Sequence, residues 1–114
     1  MDSAYTVWND DTPGNDEILY KRSTIFFDSS TDLSDNAGSS EFTAIAASGN
    51  NVYVVWEDNT PGDFEILYQR STDGGASFGS PINLSNNAGL SERPAIAVIN
   101  NLPVSLAYTM SKIK

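Results

Sequence analysis

Apolar positions along the chain fall into short runs separated by turn-forming residues. Val52 to Trp56 is β-branched and aromatic throughout, bounded by Gly49-Asn50-Asn51 before it and Asp58-Asn59-Thr60-Pro61-Gly62 after it. Glu65 to Arg70 sets Ile66, Tyr68 and Arg70 on one side and Leu67 and Gln69 on the other, the alternation of a strand. Ile82 to Leu84 and Ala95 to Ile99 are shorter apolar runs between turn signals. No stretch carries a helical period with caps at its ends. One unit therefore reads as four strands, near 43–48, 51–57, 64–71 and 80–84. The second strand is apolar on both faces, which suits a sheet covered on both sides.

This unit is written more than once. Tyr5, Val7-Trp8, Thr12-Pro13-Gly14, Glu17-Ile18-Leu19-Tyr20 and Arg22-Ser23-Thr24 recur 48 residues later. Between Ala4 and Thr24, 14 of 21 positions are identical, too many for chance. After Thr24 the offset becomes 51, and Leu33-Ser34, Asn36-Ala37-Gly38, Ser40-Glu41 and Ala44-Ile45-Ala46 recur with it. A third copy begins at Asn100-Asn101 and fades through Val104 to Tyr108. Three segments follow: 1–41, a first unit lacking its first strand; 42–92, a complete unit; and 93–114, the start of a third unit with a divergent tail from Met110. A period near 50 in a β-rich chain points to propeller blades rather than helical solenoids. The expected fold is all-β, with antiparallel four-stranded blade repeats, nine strands, about 2.25 blades and no significant helix.

The complete unit carries Ser71-Thr72-Asp73-Gly74-Gly75-Ala76-Ser77-Phe78 after its third strand. Asp73 is placed to accept nearby backbone N–H groups, Gly75 to take a positive φ, and Phe78 to fold back onto apolar strand residues. This segment resembles the Asp box, or bacterial neuraminidase repeat, of sialidase-like β-propellers, and the resemblance covers nearly the whole chain. It implies that Ser71, Asp73, Gly75 and Phe78 are fold elements on an outer rim, away from any catalytic channel. The first unit departs from the pattern: Ser23-Thr24 leads straight to Ile25-Phe26-Phe27, three residues shorter, so its hairpin is expected to close differently.

Charge and composition then remove whole chemistries. Fifteen acidic against six basic residues give a net charge of −9, which argues against nucleic acid as a partner. There is no cysteine and no histidine, which excludes disulfides, thiol chemistry, Ser-His-Asp triads and imidazole ligands. No apolar run suits membrane insertion, and Met1-Asp2-Ser3-Ala4-Tyr5 lacks the basic start of a signal peptide. An extracellular or cell-surface location is suggested by the family resemblance alone, and no cofactor is called for.

The resemblance implies three arginines on a carboxylate, a Tyr–Glu nucleophile pair and an acidic acid/base residue. The chain has three arginines in all. Arg22 and Arg70 hold the same repeat position and read as framework. Arg93 differs, because its counterpart is Phe42; it is placed at the start of an innermost strand, so it is the one candidate ligand-binding residue, set against a solvated charge paired with Glu92. Tyr20 with Glu17, and Tyr68 with Glu65, recur at matched places and therefore suit the framework better than one catalytic site; no catalytic residue is assigned. The acidic turns 9–16 and 57–63 offer oxygen ligands of the kind calcium prefers, but their spacing is not that of an EF-hand and Asn, Asp, Pro and Gly are good turn formers, so no metal site is assigned. Trp8, Trp56, Tyr5, Tyr53, Tyr20 and Tyr68 read as core between blades in preference to sugar platforms.

Two and a quarter blades leave sheet faces and an edge uncovered. The chain is thus expected to be a piece of a longer repeat protein, to complete a ring with copies of itself, or to be a marginally stable remnant. The leading expectation is a non-catalytic module for binding or scaffolding. A glycan-binding or glycan-hydrolysing propeller fragment is the alternative, with glycan as its partner.

Overall fold

The computed structural model describes residues 4–12, 14–23, 29–86, 89–99 and 102–113. Nine strands follow one another: β1 (Ala4–Asp10), β2 (Glu17–Ser23), β3 (Thr31–Asp32), β4 (Ser40–Ser48), β5 (Asn51–Asp58), β6 (Glu65–Ser71), β7 (Ile82–Asn83), β8 (Gly89–Ile99) and β9 (Leu102–Ile113). They form three antiparallel sheets in simple sequential order: β1-β2-β3, β4-β5-β6-β7 and the pair β8-β9. Among the described residues there is no helix. The order of strands and the absence of helix agree with the sequence pattern. The last two strands run further than it suggested, for β9 continues through Met110 to Ile113, where the repeat is no longer recognisable.

Local chemistry sets these elements. β5 is buried from Val52 to Asp58, as a run apolar on both faces requires. One of its faces, with Val52, Val54 and Trp56, packs with Leu67 against Ile18, Tyr20 and Leu33 of the first sheet, and Tyr5, Val7, Ile45 and Phe78 close the margins of this core. The other face carries Tyr53, Val55 and, from β6, Ile66, all buried. β8 lies against β4, β5 and β6. The second sheet is therefore covered on both sides, and each fully buried Val, Ile or Trp contributes on the order of 1.5–3 kcal/mol.

The sequence repeat is also a repeat of backbone geometry. β4 and β8 each break register at the same place, between Glu41 and Ala44 and between Glu92 and Ala95. Phe42 and Arg93 sit in these bulges with φ of 51° and 53°. Ser40 N–H donates to Asp16 O at 2.8 Å, and Ser91 N–H to Phe64 O at 2.8 Å. Leu33 N–H donates to Ile18 O as Leu84 N–H does to Ile66 O, both at 2.8 Å.

One expectation about a strand start needs correction. Arg93 does not begin its strand: β8 starts at Gly89, and Arg93 lies inside it at the bulge. Pro94 lacks a backbone N–H, but β4 bulges at the same place with Thr43 there, so the bulge belongs to the repeat and the strand continues through it. The boundaries at 41/42 and 92/93 lie inside β4 and β8. The short first-unit hairpin around Phe27 lies outside the described residues.

Candidate functional site

Each acidic turn is closed by its own aspartate. Asp10 accepts the Trp8 indole N–H at 3.1 Å and the Thr12 N–H at 2.7 Å. Asp58 accepts the Trp56 indole at 2.9 Å and the Thr60 N–H at 2.8 Å, and in addition Ser40 Oγ at 2.7 Å and Asn36 Nδ2 at 2.6 Å. Burial alone would raise the Asp58 pKa, but the hydrogen bonds from Ser40, Thr60, Trp56 and Asn36 outweigh it and hold the carboxyl below its ordinary value. Among the described residues no three acidic side chains converge in a way that would hold a metal ion.

The candidate Tyr–Glu pairs are drawn into the same framework. Ser34 Oγ donates to Glu17 while accepting the Ile18 N–H at 2.8 Å, and Ser85 does the same between Glu65 and Ile66, also at 2.8 Å. Glu17 further accepts the Asn36 N–H at 3.1 Å. The Tyr20 hydroxyl donates elsewhere, to the Gly75 carbonyl at 3.0 Å. The pair is thus divided between two structural tasks.

The turn 71–78 is held as its residue types suggest. Asp73 accepts Ser71 Oγ at 2.7 Å, Ser77 N–H at 2.9 Å and Ser77 Oγ at 2.5 Å, and the Ser77 and Ser71 hydroxyls hold it well below the usual carboxylate range. Ser71 Oγ also accepts the Gly75 N–H at 2.8 Å, and Gly75 has φ of 86°. Less expected is where the turn lies. It reaches across to the first sheet, where Arg22 Nη1 donates to Gly74 O at 3.0 Å and Phe78 meets the Tyr20 ring edge-on at 4.9 Å. Arg22 and Tyr20 therefore clamp the neighbouring unit's turn. Phe78 anchors not its own hairpin alone but the seam between two sheets.

A different group gathers where the repeat is broken. Glu41 faces Glu57 across β4 and β5. The Arg93 N–H donates to Glu57 Oε1 at 2.9 Å. Burial pushes the Glu57 carboxyl above its ordinary range, and the charges of Glu92 and Glu41 add to this, against the pull of the Arg93 N–H. Glu41 is raised as well, by burial and by Asp16 beside it. The exposed Arg93 guanidinium lies over the Phe42 ring, 5.4 Å from its centroid, a cation–π contact in place of the expected pairing with Glu92. Arg93 thus reaches Glu57 through its backbone N–H, while its guanidinium lies on the Phe42 ring.

Of this group, sequence reasoning singled out Arg93 and missed Glu57. A signal was present: Glu57 replaces Asn9 directly after the repeated Val-Trp and before the repeated Asp, as Arg93 replaces Phe42 directly after the repeated Ser-Glu. The structure brings these two non-repeated positions together. Compared with family models, curated proteins and solved structures, the chain has no match.

Proposed function

We propose that the chain is a non-catalytic repeat module for binding or scaffolding, made of four-stranded blades of the sialidase-like propeller type, and that it works within a larger or oligomeric ring. The observation that carries this reading is the repetition of side-chain roles at equivalent positions. The Trp–Asp–Thr turn, the Glu–Ser bridge and the positive-φ bulge each occur twice with the same partners. Residues that would carry glycosidase chemistry, Tyr20, Glu17 and Arg22, are bound into that framework. The sequential β4-β5-β6-β7 sheet, covered on both sides by its neighbours, supports the blade reading and an inventory of about 2.25 blades.

A second reading, a glycan-binding or sialoside-cleaving fragment, is favoured by Glu57 and Arg93 meeting at non-repeated positions. A fluorogenic sialoside assay separates the two. The module reading expects no turnover above buffer; turnover that disappears in Arg93→Ala would overturn it. Light scattering tests the ring: a mass of three chains supports closure at six blades, and a stable monomer removes self-closure.

A further inference from the structure

The two units present the same residues to very different surroundings. In the first, Tyr20 and Arg22 receive the Gly74-Gly75 turn of the second unit, and Leu33 is buried beneath this seam. Their counterparts in the second unit are Tyr68, Arg70 and Leu84. Tyr68 and Arg70 line an open groove of about 540 Å³ together with Thr72, Phe78 and Ile82. Leu84 is 40% exposed where Leu33 is 7%, and Ile82 is 53% exposed. Arg70 is exposed where Arg22 is half-buried. Position 82 is a threonine in the first unit and an isoleucine here, so this face is more apolar although less covered.

We infer that the Tyr68–Arg70–Ile82–Leu84 face is a docking site for the Asp-box hairpin of a further repeat unit, a turn with two consecutive glycines whose carbonyls accept from the Tyr68 hydroxyl and the Arg70 guanidinium. The inference rests on the repeat-module reading and adds the recognition chemistry between modules. The model for the occupied state is inside the chain itself, where the same residue types hold such a turn at 3.0 Å on both contacts. Glycine is required because the approach is close: a Cβ on Gly75 would overlap the Tyr20 hydroxyl and lie 3.1 Å from Tyr5 Cε1. A second copy of this chain is a poorer occupant, since its own glycine turn is already held by its Tyr20 and Arg22.

The test tethers the segment 65–84 behind Lys114 of the full chain through a flexible linker, which supplies the hairpin at high effective concentration. Docking raises Tm by several degrees and slows amide exchange at residues 68–70 and 82–84; Arg70→Ala with Tyr68→Phe removes both gains. Unchanged Tm and unchanged exchange, with Trp56 emission showing the host folded, overturn the proposal. Should the fusion not fold, the same segment is added as a synthetic peptide to the unmodified chain and exchange is read at the same residues, with protection supporting docking and its absence opposing it. Concentration-dependent self-association of the unmodified chain that is lost in Arg70→Ala would assign the face to a second copy and overturn the hairpin assignment. Failure of docking leaves the sialoside and mass measurements untouched, so the repeat-module reading stands or falls separately.

Discussion

The first and second units share most of their residues but not their burial. Trp56 is 0% exposed, whereas Trp8, at the matching repeat position, is half-buried. Val52 and Val54 are fully buried; their counterparts Ala4 and Thr6 are exposed. The second sheet has a neighbour on each side and the first has one on a single side, so the neighbour decides what a strand position is worth. The substitutions follow the solvent: Thr6 for Val54 and Lys21 for Gln69 make the first sheet's outer face more polar than strict repetition would. On that face Trp8 and Leu19 remain, among the described residues, as half-buried apolar residues among polar ones.

The sharpest way to break this comparison is to truncate both tryptophans. Trp56→Ala empties a buried site and removes one of four donors to the Asp58 carboxylate, so a loss of about 3–5 kcal/mol is expected. Trp8→Ala should lose about 1–2 kcal/mol, because much of its surface is already in water. Urea denaturation measures both; equal losses would mean that the second sheet is not the more enclosed one. Next in size is Asp58→Ala. It leaves the Ser40, Trp56, Asn36 and Thr60 donors without their acceptor, and at about 1–3 kcal/mol for each buried group left unsatisfied, a total near 3 kcal/mol is reasonable once water reaches some of them. Asp10→Ala should cost clearly less, since its donors can turn to solvent.

A smaller contrast lies within the 71–78 turn. Both glycines have positive φ, 71° at Gly74 and 86° at Gly75, so alanine at either strains the backbone by about 1 kcal/mol. Only at Gly75 does the added methyl also strike the first sheet; at Gly74 the nearest atom is Asn50 Oδ1 at 3.9 Å. Gly75→Ala is therefore expected to cost at least about 2 kcal/mol, and Gly74→Ala about half of that. Similar losses at both sites would show that the turn does not press against Tyr20.

Most of the strand order was legible because period-2 alternation and turn residues are local signals. The β5 run of Val52 to Trp56 and the Thr-Pro-Gly turns needed no tertiary information. The bulges at Phe42 and Arg93 were not legible: a positive φ at a bulky residue arises from how β4 and β8 cross their neighbours. The residues of the 71–78 turn announced their internal hydrogen bonds, but not that the turn would be gripped by Tyr20 and Arg22, which lie more than 50 residues earlier. Glu57 was hidden for another reason. Its significance comes from being buried and facing Arg93, which a composition of 15 acidic residues conceals.

Glu57 also provides the smallest effect and the most discriminating one. Its folded pKa lies above the ordinary glutamate value of 4.5 because burial disfavours the charge. Ionised Glu57 therefore costs stability at neutral pH, and that cost fades as pH falls through the raised pKa toward 4.5. Asp58 has the opposite sign: its pKa is depressed, so its contribution is complete above the ordinary aspartate value of 3.8 and is lost as pH falls through the folded value. Glu57→Gln keeps an oxygen for the Arg93 N–H and removes the charge. It should stabilise the chain at pH 7, and the gain should shrink to nothing in acid, while Asn9→Gln in the first unit, at an exposed position, should show no such pH dependence. Urea midpoints across pH 4 to 8 read the difference. If Glu57→Gln instead destabilises most at neutral pH, the carboxylate is held charged by Arg93. The pair would then be a preformed ionic site, and the glycan reading would gain what the framework reading loses.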